Sequence, residues 1–209
     1  MARYTPAYDH IVVAVEENHS YSDIIGNAQS PYINSLASSG GVADQLPRRV
    51  THPSEPNYFA LYAGSTFGVQ DDANYTEPGP TLASILQDNG RSFLGYVEAG
   101  SPRKHNPWES FREGSSIERD FSTFPSIDLS QLPNVSFVIP NLNDDMHDGS
   151  VSQADQWLQA NLDSYALWAR AHNSLLVVVW DEDDFPAMTR GDMLRDRKGS
   201  ALFVWQSMG

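Results

Sequence analysis

Two short apolar runs, rich in β-branched residues, constrain the fold of this 209-residue chain more than any other feature. The first is His10, Ile11, Val12, Val13, Ala14 and Val15, and the second is Leu175, Leu176, Val177, Val178, Val179 and Trp180. Neither alternates apolar with polar residues, so each predicts a strand covered on both faces. Weaker strand signals lie at residues 92–97 and 135–139. Between them the sequence predicts helices: one from Pro31, with Ser30 as N-cap and Gly40 as its stop, another from near Glu55 to about Ala63, and a third from Thr81 to Asn89. The longest runs from Ser152 to about His172, with Ala154, Trp157, Leu158, Leu162, Tyr165, Trp168 and Ala169 on one face and Ser152 and Asp155 spaced as a capping box. Strands alternating with helices define an α/β fold with a mostly parallel central sheet flanked by helices. With no repeat and no linker, residues 1–209 read as one domain.

The segment after each buried strand carries the chemistry. Residues 10–15 lead into Glu16, Glu17, Asn18, His19 and Ser20. Residues 135–139 lead into a stretch containing Asn143, Asp144, Asp145, Met146, His147 and Asp148, and residues 175–180 into Asp181, Glu182, Asp183 and Asp184. Ligands of open α/β sheets bind outside the carboxyl ends of the strands. Gathering these carboxylates there costs about 4 kcal/mol per close pair at an effective dielectric of about 20 unless a cation is present. Oxygen donors of this kind suit one divalent ion such as Mg²⁺, Ca²⁺ or Mn²⁺. Any one cluster alone also reads as a solvated turn; three of them after three buried strands favour a site.

Ser54 precedes the helix that starts near Glu55, which sets its hydroxyl among free N–H donors at the positive end of the helix dipole. That position suits a nucleophile and equally suits an N-cap. Cysteine is absent, which excludes disulfides, thiolate nucleophiles and cysteine-based zinc sites. The net charge of −14 opposes binding to nucleic acid or anionic membrane surfaces. The longest apolar run is too short for a transmembrane span, so an integral membrane protein is not expected. Residues 1–6 have no apolar leader pattern, which predicts a cytoplasmic chain or a mature exported form.

Five ordered segments together resemble the phosphoesterase family of acid phosphatases and phospholipases C: residues 17–21, 52–58, 104–108, 143–149 and 180–184. The likeness is greatest to the family's short, secreted acid phosphatases. It implies an alkaline-phosphatase-like fold, hydrolysis of phosphate monoesters through a phosphoserine, and a secreted or periplasmic location. The implied substrate is a small phosphorylated molecule or a phospholipid head group. Carried over by position, Glu17, Asn18, Asp181 and Glu182 would hold the metal, with Asp183 or Asp184 as substitutes for Glu182. Ser54 would be the nucleophile, Asn57 would point its amide at the phosphoryl oxygens, and His52 would line the same wall. His105 and His147 would contact phosphate or protonate the leaving group, a task that suits an imidazole because it titrates near neutral pH. Without the resemblance they read as surface or packing histidines. His19 would support the first metal pair, while His10 and His172 read as structural.

The likeness fails in residues 186–209. Relatives continue there with a further core strand, a glycine-rich loop and a histidine; here residues 188–198 are rich in basic side chains, and only residues 201–205 predict a strand. A truncated or frame-shifted tail would leave the sheet short of an element and the site short of a histidine. Two alternatives to the monoesterase therefore remain: a phospholipase C-type phosphodiesterase, and an inactive relative that only binds metal or phosphate.

Overall fold

The computed structural model describes residues 7–43, 51–126, 128–182 and 202–206. Strands β1 (His10–Glu16), β3 (Phe93–Val97), β4 (Glu118–Asp120), β5 (Val135–Ile139) and β6 (Ser174–Trp180) run parallel. With β2 (Gly41–Ala43) and β7 (Leu202–Gln206) they form one seven-stranded sheet in the order β2-β7-β6-β1-β5-β3-β4. β7 pairs antiparallel with both β6 and β2, so the strand expected at residues 201–205 extends the sheet beyond β6 in the opposite direction. The basic stretch 188–198, Asp183 and Asp184 lie outside the described residues.

Both long apolar runs are central strands, β1 between β5 and β6, which is why neither alternates. On one face, helices α2 (Pro31–Ser39) and α5 (Val151–Ala171) pack with Val12, Ala14, Leu176, Val178 and Trp180. On the other, α3 (Ser54–Ala63) brings Tyr58, Phe59 and Tyr62 against Val15, Phe93, Phe137 and Ile139. Two shorter helices, α1 (Tyr21–Ile24) and α4 (Leu82–Asp88), complete the set, and the connection from β3 to β5 is built largely from 3-10 turns and β4. Because side chains alternate along a strand, β1 presents Val12, Ala14 and Glu16 to the α2/α5 face and Val13 and Val15 to the α3 face.

The expected capping box of the long helix is corrected. Ser150 caps α5 by accepting a hydrogen bond from the Gln153 N–H at 3.2 Å. Asp155 reaches instead to the start of α2, where its carboxylate accepts from the N–H groups of Tyr32 (3.1 Å) and Ile33 (2.8 Å). Ser30 turns its hydroxyl to the carbonyl of Ile24 at 2.7 Å, leaving the cap to this tertiary partner.

Trp108 fixes the far side of the α3 face. Its ring is fully buried and its indole N–H donates to Glu118 at 2.7 Å. A Cβ added at Gly95 of β3 would lie 2.1 Å from that ring. Gly95→Ala is therefore expected to cost about 1–3 kcal/mol in urea denaturation, because the pinned ring cannot withdraw without strain.

Candidate functional site

At the carboxyl end of β1 the chain turns through Glu17 and Asn18, and Asn18 adopts the left-handed conformation with φ 52°. The His19 ring bonds the Glu17 carbonyl at 3.1 Å and steadies that turn. Glu17 is completely buried and sits at the centre of the contacts. Its Oε1 accepts from the Tyr58 hydroxyl at 2.6 Å and its Oε2 from the Ser54 hydroxyl at 3.1 Å. Burial lifts its carboxyl to about 8, the Tyr58 hydrogen bond opposes that rise, and the Asp145 and Glu182 charges add to it.

Ser54 is the first residue of α3 and is 1% exposed. Pro53 takes the N-cap position, and the Ser54 side chain caps nothing; its hydroxyl faces Glu17 and, at 3.3 Å, Glu182 Oε1. The capping alternative is thereby removed. Asn57, one turn on, donates to Glu182 Oε2 at 3.2 Å and to the Thr51 carbonyl at 2.8 Å. His52 Nδ1 contacts Glu182 Oε2.

Asp181, just past β6, buries both carboxylate oxygens with no aligned hydrogen-bond partner. Burial first, then the charges of Glu17 and Glu182, push it well above the carboxylate range. Burial likewise raises Glu182, while His52 pulls it back. Single oxygens of Glu17, Asp181 and Glu182 lie within 4.8 Å of one another. Buried carboxylates this close fit a hard divalent cation, whose charge would remove the penalty that raises them.

The remaining histidines occupy different settings. His105 is fully buried, stacked on Tyr58 at 5.0 Å and 8°, between Glu17 (3.2 Å) and Asp145 (3.5 Å). Burial pushes its imidazole down to about 3, assisted by Lys104 and His147. His147 keeps 28% of its side chain exposed, bonds Asp148 at 2.7 Å, and lies 6.1 Å from His105 between ring centroids. His10 and His172 pack on Trp168, away from these contacts.

Two residues were not singled out from the sequence. Tyr58 follows Asn57 in the same motif and orients Glu17. Asp145 is fully buried, and burial lifts its carboxyl to about 7 against the pull of the His147 N–H. Its proximity to His147 after a buried strand was the available signal. The loop that carries both is anchored by Met146, with φ 78° and a buried side chain. A salt bridge outside the site ties two of its elements together: Arg103, beside His105, clasps the buried Glu55 of α3 at 2.7 and 2.9 Å.

Residues 27–199 match the family described as the Phosphoesterase family. The chain is 47% identical over 195 residues to a phosphatidylinositol-3-phosphatase of Mycobacterium tuberculosis, covering 86% of this chain and 65% of that protein. It is 28% identical over 200 residues to an acid phosphatase of Aspergillus fumigatus, covering 80% of this chain and 43% of that one. The chain thus spans less than two thirds of the length of these relatives. Among solved structures, an alkaline phosphatase superfamily protein from Vibrio parahaemolyticus superposes with a TM-score of 0.64 at 11% identity, covering 98% of this chain and 61% of that one. The periplasmic domain of EptC from Escherichia coli, in complex with Zn, gives 0.63 at 10% identity, covering 97% and 74%. These likenesses establish an alkaline-phosphatase-like fold. Among the described residues no helix is long and apolar enough to cross a membrane.

Proposed function

Because this chain belongs to the phosphoesterase family, with residues 27–199 matched, we propose that it hydrolyses phosphate monoesters through Ser54. The observation that carries this reading is the Ser54 hydroxyl at the start of α3, 3.1 Å from Glu17 and 3.3 Å from Glu182, in a cluster with the buried Asp181 carboxylate. Glu17, Asn18, Asp181 and Glu182 would hold one divalent cation, which supplies Lewis-acid polarisation of the phosphoryl group and favours the serine alkoxide.

Ser54 Oγ attacks phosphorus as its proton leaves toward one of the two carboxylates it faces. The bond from phosphorus to the leaving oxygen breaks, and that oxygen takes a proton from His147. The alcohol departs and a phosphoserine remains. Water then attacks phosphorus and His147 takes its proton; the bond from phosphorus to Ser54 Oγ breaks, Oγ recovers its proton from the carboxylate that had taken it, and inorganic phosphate leaves. His147 suits this exchange better than His105, because it reaches solvent while His105 is enclosed. The Ser54 N–H at the start of α3 would orient a phosphoryl oxygen, and the Asn57 amide would join it on release from Glu182 once that carboxylate holds the cation.

The name of the mycobacterial relative makes a phosphoinositide head group the first physiological substrate to try, and the family resemblance supports secretion or export. The test is hydrolysis of para-nitrophenyl phosphate and its bis-ester from about pH 4 to 9, with and without chelator. Chelator-sensitive turnover of the monoester is expected. Preference for the bis-ester would favour a phosphodiesterase, and metal binding without turnover a binding protein.

A further inference from the structure

We infer that Lys104 is a substrate-binding residue whose ammonium receives the second negative charge of a phosphate monoester. This rests on the reading of Ser54 as the place where phosphorus reacts, and it says how that site tells a dianionic phosphoryl group from a monoanionic one. Single oxygens of Glu17, Asp181 and Glu182 lie within 4.8 Å of one another. With one divalent cation bound, three ionised carboxylates still leave a surplus negative charge. A monoester near neutral pH brings more negative charge than a diester, so the cluster and its cation alone would favour the diester. A site that prefers monoesters needs a further positive charge within reach.

Lys104 is held where that charge is needed. It lies in the 3-10 turn Arg103–His105, next to the buried His105 that contacts Glu17 at 3.2 Å. Its Nζ donates to Asp72 Oδ2 at 3.0 Å, and Asp72 Oδ1 accepts from the Glu55 N–H at 3.0 Å. One carboxylate thus ties the ammonium to the backbone of the residue after Ser54, at the start of α3. Arg103 braces the same turn by clasping Glu55 at 2.7 and 2.9 Å and donating to the Ala73 carbonyl at 2.9 Å. The electrostatics agree with this placement. Burial raises both carboxyls that face the Ser54 hydroxyl, and the Lys104 charge pulls each back. Burial lowers the His105 imidazole, and the same charge pushes it further down.

The ammonium also has donors left over. A lysine offers three N–H groups, and among the described residues Asp72 is the one partner of Lys104. Its side chain is 22% exposed, so a ligand reaches it from solvent. Neighbouring side chains that could carry positive charge are engaged elsewhere. Arg103 is taken up by Glu55, Ser110 and the Ala73 carbonyl, and His52 Nδ1 contacts Glu182 Oε2. Asp72 can therefore keep one N–H and fix the ammonium in place while the others meet a phosphoryl oxygen. A compact ammonium reads charge rather than shape, and charge is what separates the two classes of ester.

Calorimetric binding of phenylphosphonate and methylphenylphosphinate tests the assignment, with Mn²⁺ saturating and the pH above the second ionisation of the phosphonate. In the phosphinate a methyl group replaces one charged oxygen, and neither compound has an ester bond to hydrolyse. The wild type is expected to bind the phosphonate more tightly. Lys104→Met should weaken the phosphonate by about 10–100-fold, the worth of a hydrogen bond to a charged group, and the phosphinate by less than about threefold. Lys104→Gln, which can still donate to Asp72, should behave alike, and it decides the matter should the methionine variant fail to fold. Equal weakening of both ligands would mean that Lys104 only holds the site together, and overturns the assignment. So does a phosphonate affinity unchanged in a folded variant, or a wild type that prefers the phosphinate. Because binding is read rather than turnover, a failure of the proposed hydrolysis shows separately, in the para-nitrophenyl phosphate assay.

Discussion

Ser54→Ala is expected to lower kcat on para-nitrophenyl phosphate by at least about 10⁴-fold, roughly 5 kcal/mol of transition-state stabilisation, while the protein still folds. The kinetic effect should far exceed the structural one. The hydroxyl donates to Glu17 or Glu182, and losing one buried hydrogen bond costs about 1 kcal/mol, or about 2–4 °C in Tm for a domain of this size. Any residual hydrolysis would come from the α3 N-terminus and bound metal acting on water. Acid-quenched wild type should carry one phosphoryl group on the peptide containing Ser54, read by mass spectrometry, and the variant none. Turnover retained within tenfold would remove Ser54 from the mechanism and leave an activated water as nucleophile. Loss of turnover with a collapsed melting transition would instead mean that the substitution had damaged the fold.

The parts of this molecule visible in its sequence are those where one local rule suffices. β1 and β6 left compositional runs because both their faces are covered. α5 is long enough for its apolar period to repeat. The parallel arrangement then delivers Glu17 and Asp181 to one sheet edge, and Ser54 follows from its place at a helix start. The parts that escaped depend on partners distant in sequence. Asp155 lies where a local capping box would use it, yet it caps α2, more than a hundred residues earlier. β4 and the 3-10 turns between β3 and β5 are too short for any period to show. Asp144, Asp145 and Asp148 look alike as residues, but only Asp145 is fully buried, because the buried Met146 fixes the turn. His105 sits in a polar stretch whose neighbour Trp108 is buried under Gly95; nothing local marks the histidine as enclosed.

The burial of so much negative charge leads to the second large effect. Glu17→Gln is expected to cut kcat/KM by at least about 10³-fold and to raise the Tm of the metal-free protein at pH 8. Both effects have one cause. In the folded protein the Glu17 carboxyl is lifted to about 8 and Asp145 to about 7, with Asp181 well above its usual value, chiefly by burial. Unfolded carboxyls titrate near about 4. Between those limits the folded state holds protons that the unfolded chain has released, so metal-free stability falls as pH rises from about 4.5 to 8. Glutamine still accepts the Tyr58 hydrogen bond, removes one titration, and relieves the Coulomb repulsion that Glu17 exerts on Asp181. The pH slope should flatten, with each 1 kcal/mol recovered appearing as about 2–4 °C. Saturating Mn²⁺ should do the same for the wild type by supplying the missing positive charge, and should do little for the variant if Glu17 is the ligand proposed above. A variant less stable than wild type at pH 8 without metal would show that the charge on Glu17 is not what strains the fold. Undiminished turnover would show that Glu17 is not a ligand. The expected pairing, a more stable and nearly inactive protein, would mean that the folded chain tolerates a cost in its carboxylate cluster which only a bound cation offsets.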